Sequence, residues 1–299
     1  RFCDWSSDVC SSDLPDNREN INYFTTGPDM VVNFGAATAL TLSGRYSDTN
    51  YETSDLDNEV YGGALALARE LSGKSTVSVN LVGERTEFAD TTVNTDYDRY
   101  QAFLRYAVRG FRTDLTLDGG YTELDIDNEK SDGMLARLSL VRRMSTASSL
   151  TLRAGTQFSN TGDLFRDDQS AQGVRLDTAS VIGTSDPFEN RFGSLAYDFG
   201  RNRTSFGFSV QYSEEDYETD TSFNRNLMTY GGYFSRQLSR DLDWRLYAQW
   251  SKEEFDESGF EDDELQAGTY LNWRVGRVVS LRLQYDRYDR PVLDRKSVV

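Results

Sequence analysis

Residues Ala39–Ser47 read ALTLSGRYS, and their polarity alternates with a period of two. In an extended chain, Leu40, Leu42 and Tyr46 fall on one face, while Arg45 and the hydroxyl residues fall on the other. Successive side chains of a β-strand point to opposite sides of the sheet. The stretch therefore predicts a strand with one face in an apolar medium and the other in a polar one.

The same alternation recurs along the chain. It is seen in TDLTLDGGYTE (Thr113–Glu123), LDWRLYAQW (Leu242–Trp250) and SLRLQYD (Ser280–Asp286), and helical spacing fits none of them. The chain contains only 4 prolines, so few strands need be interrupted. Short turns recur about every 37 residues, which indicates a repeated long hairpin.

About fourteen strands follow from this pattern, each of about 12–15 residues, against a mean of about 5–6 in soluble sheets. A propeller would need four short strands in each repeat, whereas long strands suit a tilted crossing of a bilayer. The predicted strands are 20–34, 39–53, 58–71, 75–88, 96–110, 113–126, 131–144, 148–160, 190–200, 204–218, 223–238, 242–256, 261–275 and 280–290.

The composition excludes several classes of protein. The 299 residues include 32 Lys+Arg against 49 Asp+Glu, a formal net charge of −17 that argues against a nucleic-acid partner. No apolar run approaches the roughly 18–20 residues of a transmembrane helix, but barrel strands alternate and average out as polar. The chain has no histidine, which excludes His-based triads and His-ligated metal sites. It also carries none of the common catalytic motifs. We expect no enzymatic activity, no cofactor and no metal site.

The two ends of the predicted hairpins differ in length and charge. The longer connections are acidic, as in EEFDESGFEDDE (Glu253–Glu264), whereas the tight turns carry arginines such as Arg109, Arg112 and Arg142. Short periplasmic turns and longer outer loops are typical of outer-membrane barrels, and many of the 17 tyrosines and 4 tryptophans lie near strand ends, where interfacial aromatic residues gather. The predicted fold class is all-β, an antiparallel transmembrane β-barrel of about fourteen visible strands, 16–18 when complete, in the bacterial outer membrane.

Both termini differ from the rest of the chain. Residues 1–14 (RFCDWSSDVCSSDL) contain both cysteines, Cys3 and Cys10, and resemble translated sequencing-adapter read-through at the ends of metagenomic reading frames, as does the tail 294–299. We expect residues 1–14 to be disordered and residues 15–293 to be the barrel, incomplete at both ends. The alternative is a short disordered terminus with a Cys3–Cys10 disulfide.

The face opposite the leucines is expected to line the lumen. Two interpretations stay open: a polar channel whose lining sets solute preference, or a lumen packed shut by salt bridges. A barrel of fourteen or more strands is wider than side chains alone fill, which favours a water-filled lumen. The candidate pore-lining residues are Arg45, Arg105, Asp118, Arg153, Gln157, Gln211, Arg245, Gln249, Arg282 and Gln284.

One connection, from Asn160 to Asn190, is much longer than the others. Loops beyond about 12–15 residues are often functional, and three interpretations stay open: a loop folded inward to constrict the pore, a surface binding loop, or a loose extracellular insertion. Its candidate residues are Arg166, Asp167, Asp168 and Arg175. Elsewhere, Asp55, Asp57 and Glu59 have the spacing of a calcium loop but lack its glycine, so diffuse cation bridging to lipopolysaccharide is the better expectation for the acidic loops.

Two stretches carry a family resemblance: GPDMVVNFGAATALTLSGRYSDTNYE (Gly27–Glu52) and LQAGTYLNWRVGRVVSLRLQYDRYDR (Leu265–Arg290). The chain resembles the β-barrel porin type 2 group over about residues 17–290. More narrowly, it is similar to outer-membrane barrels associated with exopolysaccharide and PEP-CTERM/exosortase gene clusters of Gram-negative bacteria. The aromatic-ended last strand usual in that family is absent.

The resemblance implies an outer-membrane location and a role in envelope or polysaccharide export, and it brings no catalytic residues. The expected function is a porin-like passive channel accessory to exopolysaccharide export. The alternative is a structural or adhesive surface barrel whose acidic loops bind cations, lipopolysaccharide or matrix. Expected partners are outer-membrane lipid and lipopolysaccharide, a polysaccharide or small polar solute, and exopolysaccharide-export components.

Overall fold

The structure is a computed structural model that describes residues 21–52, 56–91, 94–126, 129–160, 184–257, 259–275 and 279–289. The predictions for residues 1–14, for residues 294–299 and for a Cys3–Cys10 disulfide lie outside the described residues. No helix in these ranges has the length and apolar character to cross a membrane. The helical content consists of one 3-10 turn at Thr221–Phe223 in the described part of the chain.

Fifteen strand segments form one antiparallel sheet in which each strand from β3 onward pairs with the next along the chain. The segments are β1 (Ile21–Thr26), β2 (Asp29–Asn33), β3 (Thr38–Tyr51), β4 (Asn58–Ser72), β5 (Ser75–Phe88), β6 (Tyr97–Arg109), β7 (Thr113–Ile126), β8 (Glu129–Arg143), β9 (Ser148–Ser159), β10 (Phe188–Arg201), β11 (Thr204–Tyr217), β12 (Arg225–Gln237), β13 (Leu242–Phe255), β14 (Glu261–Arg274) and β15 (Ser280–Asp289). The predicted all-β antiparallel fold is confirmed, and most strand ends lie within two residues of the predicted ones.

The first two segments are one interrupted strand. Thr26 pairs with Tyr46 and Asp29 with Ser43, so β1 and β2 lie end to end along β3 in a single register. Pro28 stands at the break, where it has no N–H to donate, although its carbonyl still accepts the Gly44 N–H at 2.9 Å. The fifteen segments therefore correspond to the fourteen predicted strands.

The sheet is curved, and its concave side is called the inner face. A hydrogen bond of 3.0 Å joins Arg99 Nη1 on β6 to the carbonyl of Phe158 on β9, three strands away. A second contact joins Asn160, just past β9, to the Tyr97 hydroxyl on β6. Side chains of strands that are not neighbours can meet in this way only on the concave side of a curved sheet.

The outer face carries an apolar band. On β14, Leu265 and Trp273 point outward eight residues apart. At about 3.3 Å per residue and a tilt of about 40°, this run covers about 20 Å of membrane depth, close to the roughly 25 Å band of outer-membrane barrels. Aromatic pairs border the band on the long-loop side, with ring centroids 5.3 Å apart for Tyr46–Tyr61 and 5.4 Å for Tyr230–Trp250.

Two adjacent glycines of β7 offer a test of this register. A Cβ on Gly120 would lie 2.2 Å from the Ala102 carbonyl oxygen and 2.5 Å from the Phe103 Cα, whereas a Cβ on Gly119 would meet nothing within 4 Å. Gly120→Ala must therefore displace backbone, and we expect it to lower the free energy of unfolding by about 1–3 kcal/mol. Gly119→Ala is the matched control, with an expected change of at most about 0.5 kcal/mol.

Urea unfolding of the two variants in detergent micelles measures the difference. Equal stability of the two variants would contradict the placement of Gly120 against β6.

Candidate functional site on the inner face

The strand register shows where the ten candidate pore-lining residues lie. All ten fall on the inner face, because each pairs across the sheet with residues of the same face from β3 through to β15. They are Arg45 on β3, Arg105 on β6, Asp118 on β7, Arg153 and Gln157 on β9, Gln211 on β11, Arg245 and Gln249 on β13, and Arg282 and Gln284 on β15.

Two arginines share one buried carboxylate in the wall formed by β6, β7 and β8. Arg105 donates to Asp118 through Nε at 2.7 Å and Nη2 at 2.8 Å. Arg137 donates to the same carboxylate through Nε at 2.9 Å. The side chain of Asp118 is only 3% exposed, against 42% for Arg105 and 29% for Arg137. The carboxylate therefore lies against the wall while the guanidinium groups cover it.

An aromatic ring and an amide complete this cluster. The guanidinium carbons of Arg105 and Arg137 lie 5.5 and 5.0 Å from the ring centroid of Phe103, within range of a cation–π interaction. Arg137 Nη1 donates to Gln157 Oε1 at 3.2 Å, and Gln157 donates in turn to the Ser159 hydroxyl at 3.1 Å. The cluster spans four strands, so its geometry is fixed by the sheet.

Two arginines, on β13 and β15, stack on tyrosines of β12 and β14. Arg245 lies over the Tyr233 ring at 4.9 Å and donates to the Tyr270 hydroxyl at 3.3 Å. Arg282 lies over the Tyr270 ring at 4.3 Å. Planar guanidinium groups stack on aromatic faces while keeping N–H groups for other partners. This part of the wall is therefore both polar and stiff.

The other candidates differ in their partners. Arg45 forms a bidentate pair with Asp29, at 2.7 and 2.8 Å, and both side chains are about half exposed. Gln284 donates to Asp286 at 2.5 Å. Within the described ranges, Arg153 and Gln211 make no side-chain hydrogen bond or ion pair. Gln249 lies between Gly231 and Gln266 in the register.

The interior is packed toward the long-loop end. Phe88, Tyr97, Leu124 and Phe158 form a buried apolar cluster there, and Leu124 is fully buried. The first three come from β5, β6 and β7, and Phe158 reaches the cluster from β9. Apolar side chains that meet in this way exclude water from this part of the interior.

Sequence reasoning missed three ion pairs at the same end, which two buried arginines form. Arg99 contacts Glu84, and Arg225 contacts both Glu215, through Nε at 2.8 Å, and Glu253. The side chains of Arg225 and Glu215 are 3% and 5% exposed. A signal was present in the sequence, since Glu84 faces Arg99 and Glu215 faces Arg225 once the hairpins are aligned. Opposite charges at facing positions stabilise a strand pair.

Both described ends of the long connection lie at this packed end. Asn160 is buried, as is Asp186, which accepts the backbone N–H groups of Thr219 at 3.0 Å and Asp220 at 2.9 Å. In that neighbouring loop, the hydroxyl and backbone N–H of Ser222 lower the pKa of Asp220. Thr184 contributes to a cavity of about 20 Å³ near Tyr97 and Asn160, enough for about one water.

The residues predicted for the long loop and for the calcium-like spacing are not assembled into a site within the described ranges. Arg166, Asp167, Asp168 and Arg175 lie outside the described residues, so the three interpretations of the long loop stay predictions. Asp55 of the calcium-like spacing is also outside them, and Asp57 accepts the Tyr51 backbone N–H at 2.6 Å. No group of three or more metal-ligating side chains is found in the ranges that the structure covers.

The difference in burial between two arginine-bound aspartates gives a prediction. Asp118→Asn removes a charge that two guanidinium groups share in a buried position, and we expect a loss of about 1–3 kcal/mol in the free energy of unfolding. Asp29→Asn is the matched control, because Asp29 has the same bidentate geometry but a half-exposed side chain. Its expected cost is about 0–1 kcal/mol.

Denaturant unfolding in micelles, followed by tryptophan fluorescence, measures both variants. If Asp29→Asn costs as much as Asp118→Asn, burial is not what makes the Asp118 cluster stabilising.

Comparison with known proteins supports the fold and goes no further. No family model matches the chain, and no curated protein matches it in sequence. The siderophore receptor PirA from Pseudomonas aeruginosa is similar with a TM-score of 0.52 at 10% identity, covering 91% of this chain and 54% of that chain. The copper transporter OprC is similar with a TM-score of 0.51 at 11% identity, covering 85% of this chain and 50% of that chain. The chain thus spans about half the length of these two proteins.

A third similar structure is OmpT, an outer membrane protein of Vibrio cholerae in its trimer form, with a TM-score of 0.42 and 5% identity over 91% of this chain and 89% of that chain. All three are bacterial outer-membrane proteins or receptors of the β-barrel type. The likeness to PirA and OprC, together with the apolar outer band, confirms the predicted fold, an antiparallel outer-membrane β-barrel. The bacterial outer membrane is the location of this fold class.

Proposed function

We propose that the protein is a porin-like passive channel for small polar solutes. The observation that carries this proposal is the two-faced sheet: an apolar outer band and an inner face on which arginines, glutamines and tyrosines follow one another from β3 to β15. A wall of polar and charged side chains of both signs is what a water-filled passage requires. In a closed barrel, apolar side chains could fill the interior without the free-energy cost of removing charged groups from water.

We also propose that the channel has no enzymatic activity. Most of the charged groups described above on the inner face are engaged in ion pairs, aromatic stacking or amide contacts, and Arg153, which has no such partner in the described ranges, is a cation and not a base. The chain has no histidine to serve as a general base. Such an arrangement supports passage and does not supply a nucleophile with an adjacent base.

An accessory role in exopolysaccharide export is the finer part of the proposal. It rests on the family resemblance of Gly27–Glu52 and Leu265–Arg290, and on an inner face whose hydroxyl, amide and guanidinium groups could bind sugar hydroxyls. Deletion of the gene in its host should lower secreted polysaccharide without lowering its synthesis. Unchanged secretion would leave only the general channel.

A second candidate function is favoured by one specific observation, the packed long-loop end of the interior. If the Phe88–Tyr97–Leu124–Phe158 cluster closes the lumen, the protein is a structural or adhesive surface barrel. Its partners would be outer-membrane lipid, lipopolysaccharide, cations or matrix, bound by the acidic connections. The ends of the strands on the long-loop side, which carry charges beyond the outer aromatic pairs, would then be the surface that binds these partners.

Planar-bilayer recording of the refolded barrel separates the two functions. For a channel we expect stable conductance steps in 1 M KCl, because the polar wall continues past the packed cluster. Phe158→Ala, which removes a ring from the cluster, should raise the single-channel conductance. Phe234→Ala is the control, because Phe234 packs on Trp244 on the outer face, with ring centroids 5.8 Å apart.

The folded state must be verified in the same preparation, by the shift in gel mobility between heated and unheated samples. A folded, heat-modifiable barrel that shows no conductance, with or without Phe158→Ala, would overturn the channel and leave the structural function.

A further inference from the structure

We propose that Arg105, Arg137 and Arg153 form an oxyanion-binding patch on the inner wall, which takes the carboxylate or phosphate group of a passing solute. This inference deepens the proposed channel function and rests on its assignment of the inner face to the lumen. The patch joins the wall cluster of β6–β8 to the unpaired arginine of β9.

The first argument is the count of charges. Three arginines lie on strands near one carboxylate, that of Asp118, which Arg105 and Arg137 contact. Arg105 and Arg137 face Asp118 directly in the register, and Arg153 lies one diagonal step from Arg137, because Ser139 and Arg153 are paired. Diagonal neighbours on one face lie about 7–8 Å apart, within reach of arginine side chains. The local net charge is therefore positive although the whole chain is strongly acidic.

The second argument is the order of burial. Asp118 is covered, whereas the arginines that cover it are exposed to the interior by 42% and 29%. A solute therefore meets guanidinium groups and not the carboxylate. This differs from the Arg45–Asp29 pair, in which both partners are exposed by similar fractions and present no net charge.

The third argument is the supply of donors. Arg105 uses Nε and Nη2 on Asp118, which leaves Nη1 without a partner in the described part of the chain. Arg153 has no partner in those ranges either. Guanidinium groups bind carboxylate and phosphate oxygens through paired N–H donors. The amide of Gln157, already held by Arg137, stands beside them.

The fourth argument is the surroundings of the guanidinium groups. Gly155 stands opposite Arg137, and the Phe192 ring occupies the space over it, since a Cβ there would be 2.9 Å from the ring. Phe103 supports the two guanidinium groups from below. Aromatic rings therefore flank the guanidinium groups, and a charge interaction beside such rings is screened less by water than one in bulk solvent.

The test uses Arg153→Gln. Because Arg153 has no partner in the described ranges, removing its charge leaves no other group unpaired, and we expect folding to be unaffected. Inorganic phosphate and acetate are the probes, and each is measured by the rise it produces in the unfolding temperature of the barrel in micelles. We expect Arg153→Gln to weaken phosphate binding about fourfold, the factor that Coulomb's law gives for unit charges about 5 Å apart in water. A larger effect on phosphate than on acetate would identify phosphate as the preferred group, and the reverse would identify carboxylate.

The matched control is Arg201→Gln, because Arg201 lies on the outer face at the short-turn end of β10 and the change of net charge is the same. In bilayers, Arg153→Gln should also lower the chloride-over-potassium permeability ratio, while Arg201→Gln should not. Equal phosphate binding by the two variants would overturn the patch, whether or not the barrel conducts. Absence of conductance with a selective loss in Arg153→Gln would overturn the channel and uphold the patch.

Discussion

Backbone hydrogen bonding in a medium without water is the constraint on which this structure depends. Lipid offers no partner to an N–H or C=O group, so each strand in the membrane must be paired along its length. The pairing from β3 to β15 meets this demand along most of each strand, although residues 129–135 of β8 are not paired with β9. The described strands show one register shift, between Glu70 and Ser72 at the short-turn end of β4. The proline break between β1 and β2 lies at an edge of the sheet, where a missing N–H is tolerated best.

Continuous pairing has a second consequence. The side chains of each strand point alternately to the outer and to the inner face of the sheet. Residues that face each other across two strands share one side, so charges on the inner face meet directly opposite one another. Glu84 with Arg99, Arg105 with Asp118 and Glu215 with Arg225 are all such pairs. Where packed side chains exclude water, as around Arg99 and Arg225, an unpaired charge would be costly, and cross-strand pairing avoids that cost.

The interior is nevertheless uneven from end to end. Near the long connections, buried aromatic and aliphatic side chains meet from several strands, and Arg225 is enclosed by two glutamates. Farther along the wall, the acid is buried and the arginines are exposed. On the proposed function, the packed end would limit which solutes enter and the basic wall would bind anions. Passage and closure would then depend on different levels of one barrel, so conductance and anion binding test them separately.

The sequence by itself determined the strands, their order and the two faces, because a period of two in Ala39–Ser47 or Leu242–Trp250 reports directly on the environment of a strand. It also placed Arg105, Asp118 and Arg153 on the polar face. The alternation of polar and apolar residues within each strand shows this without any information about the neighbouring strands. Only the tertiary structure decided which of these residues meet. Arg137 reaches Asp118 because β7 and β8 pair in one register and not in another. Phe158 packs on Tyr97 because the sheet curls, and curvature depends on contacts between strands that lie far apart in the chain.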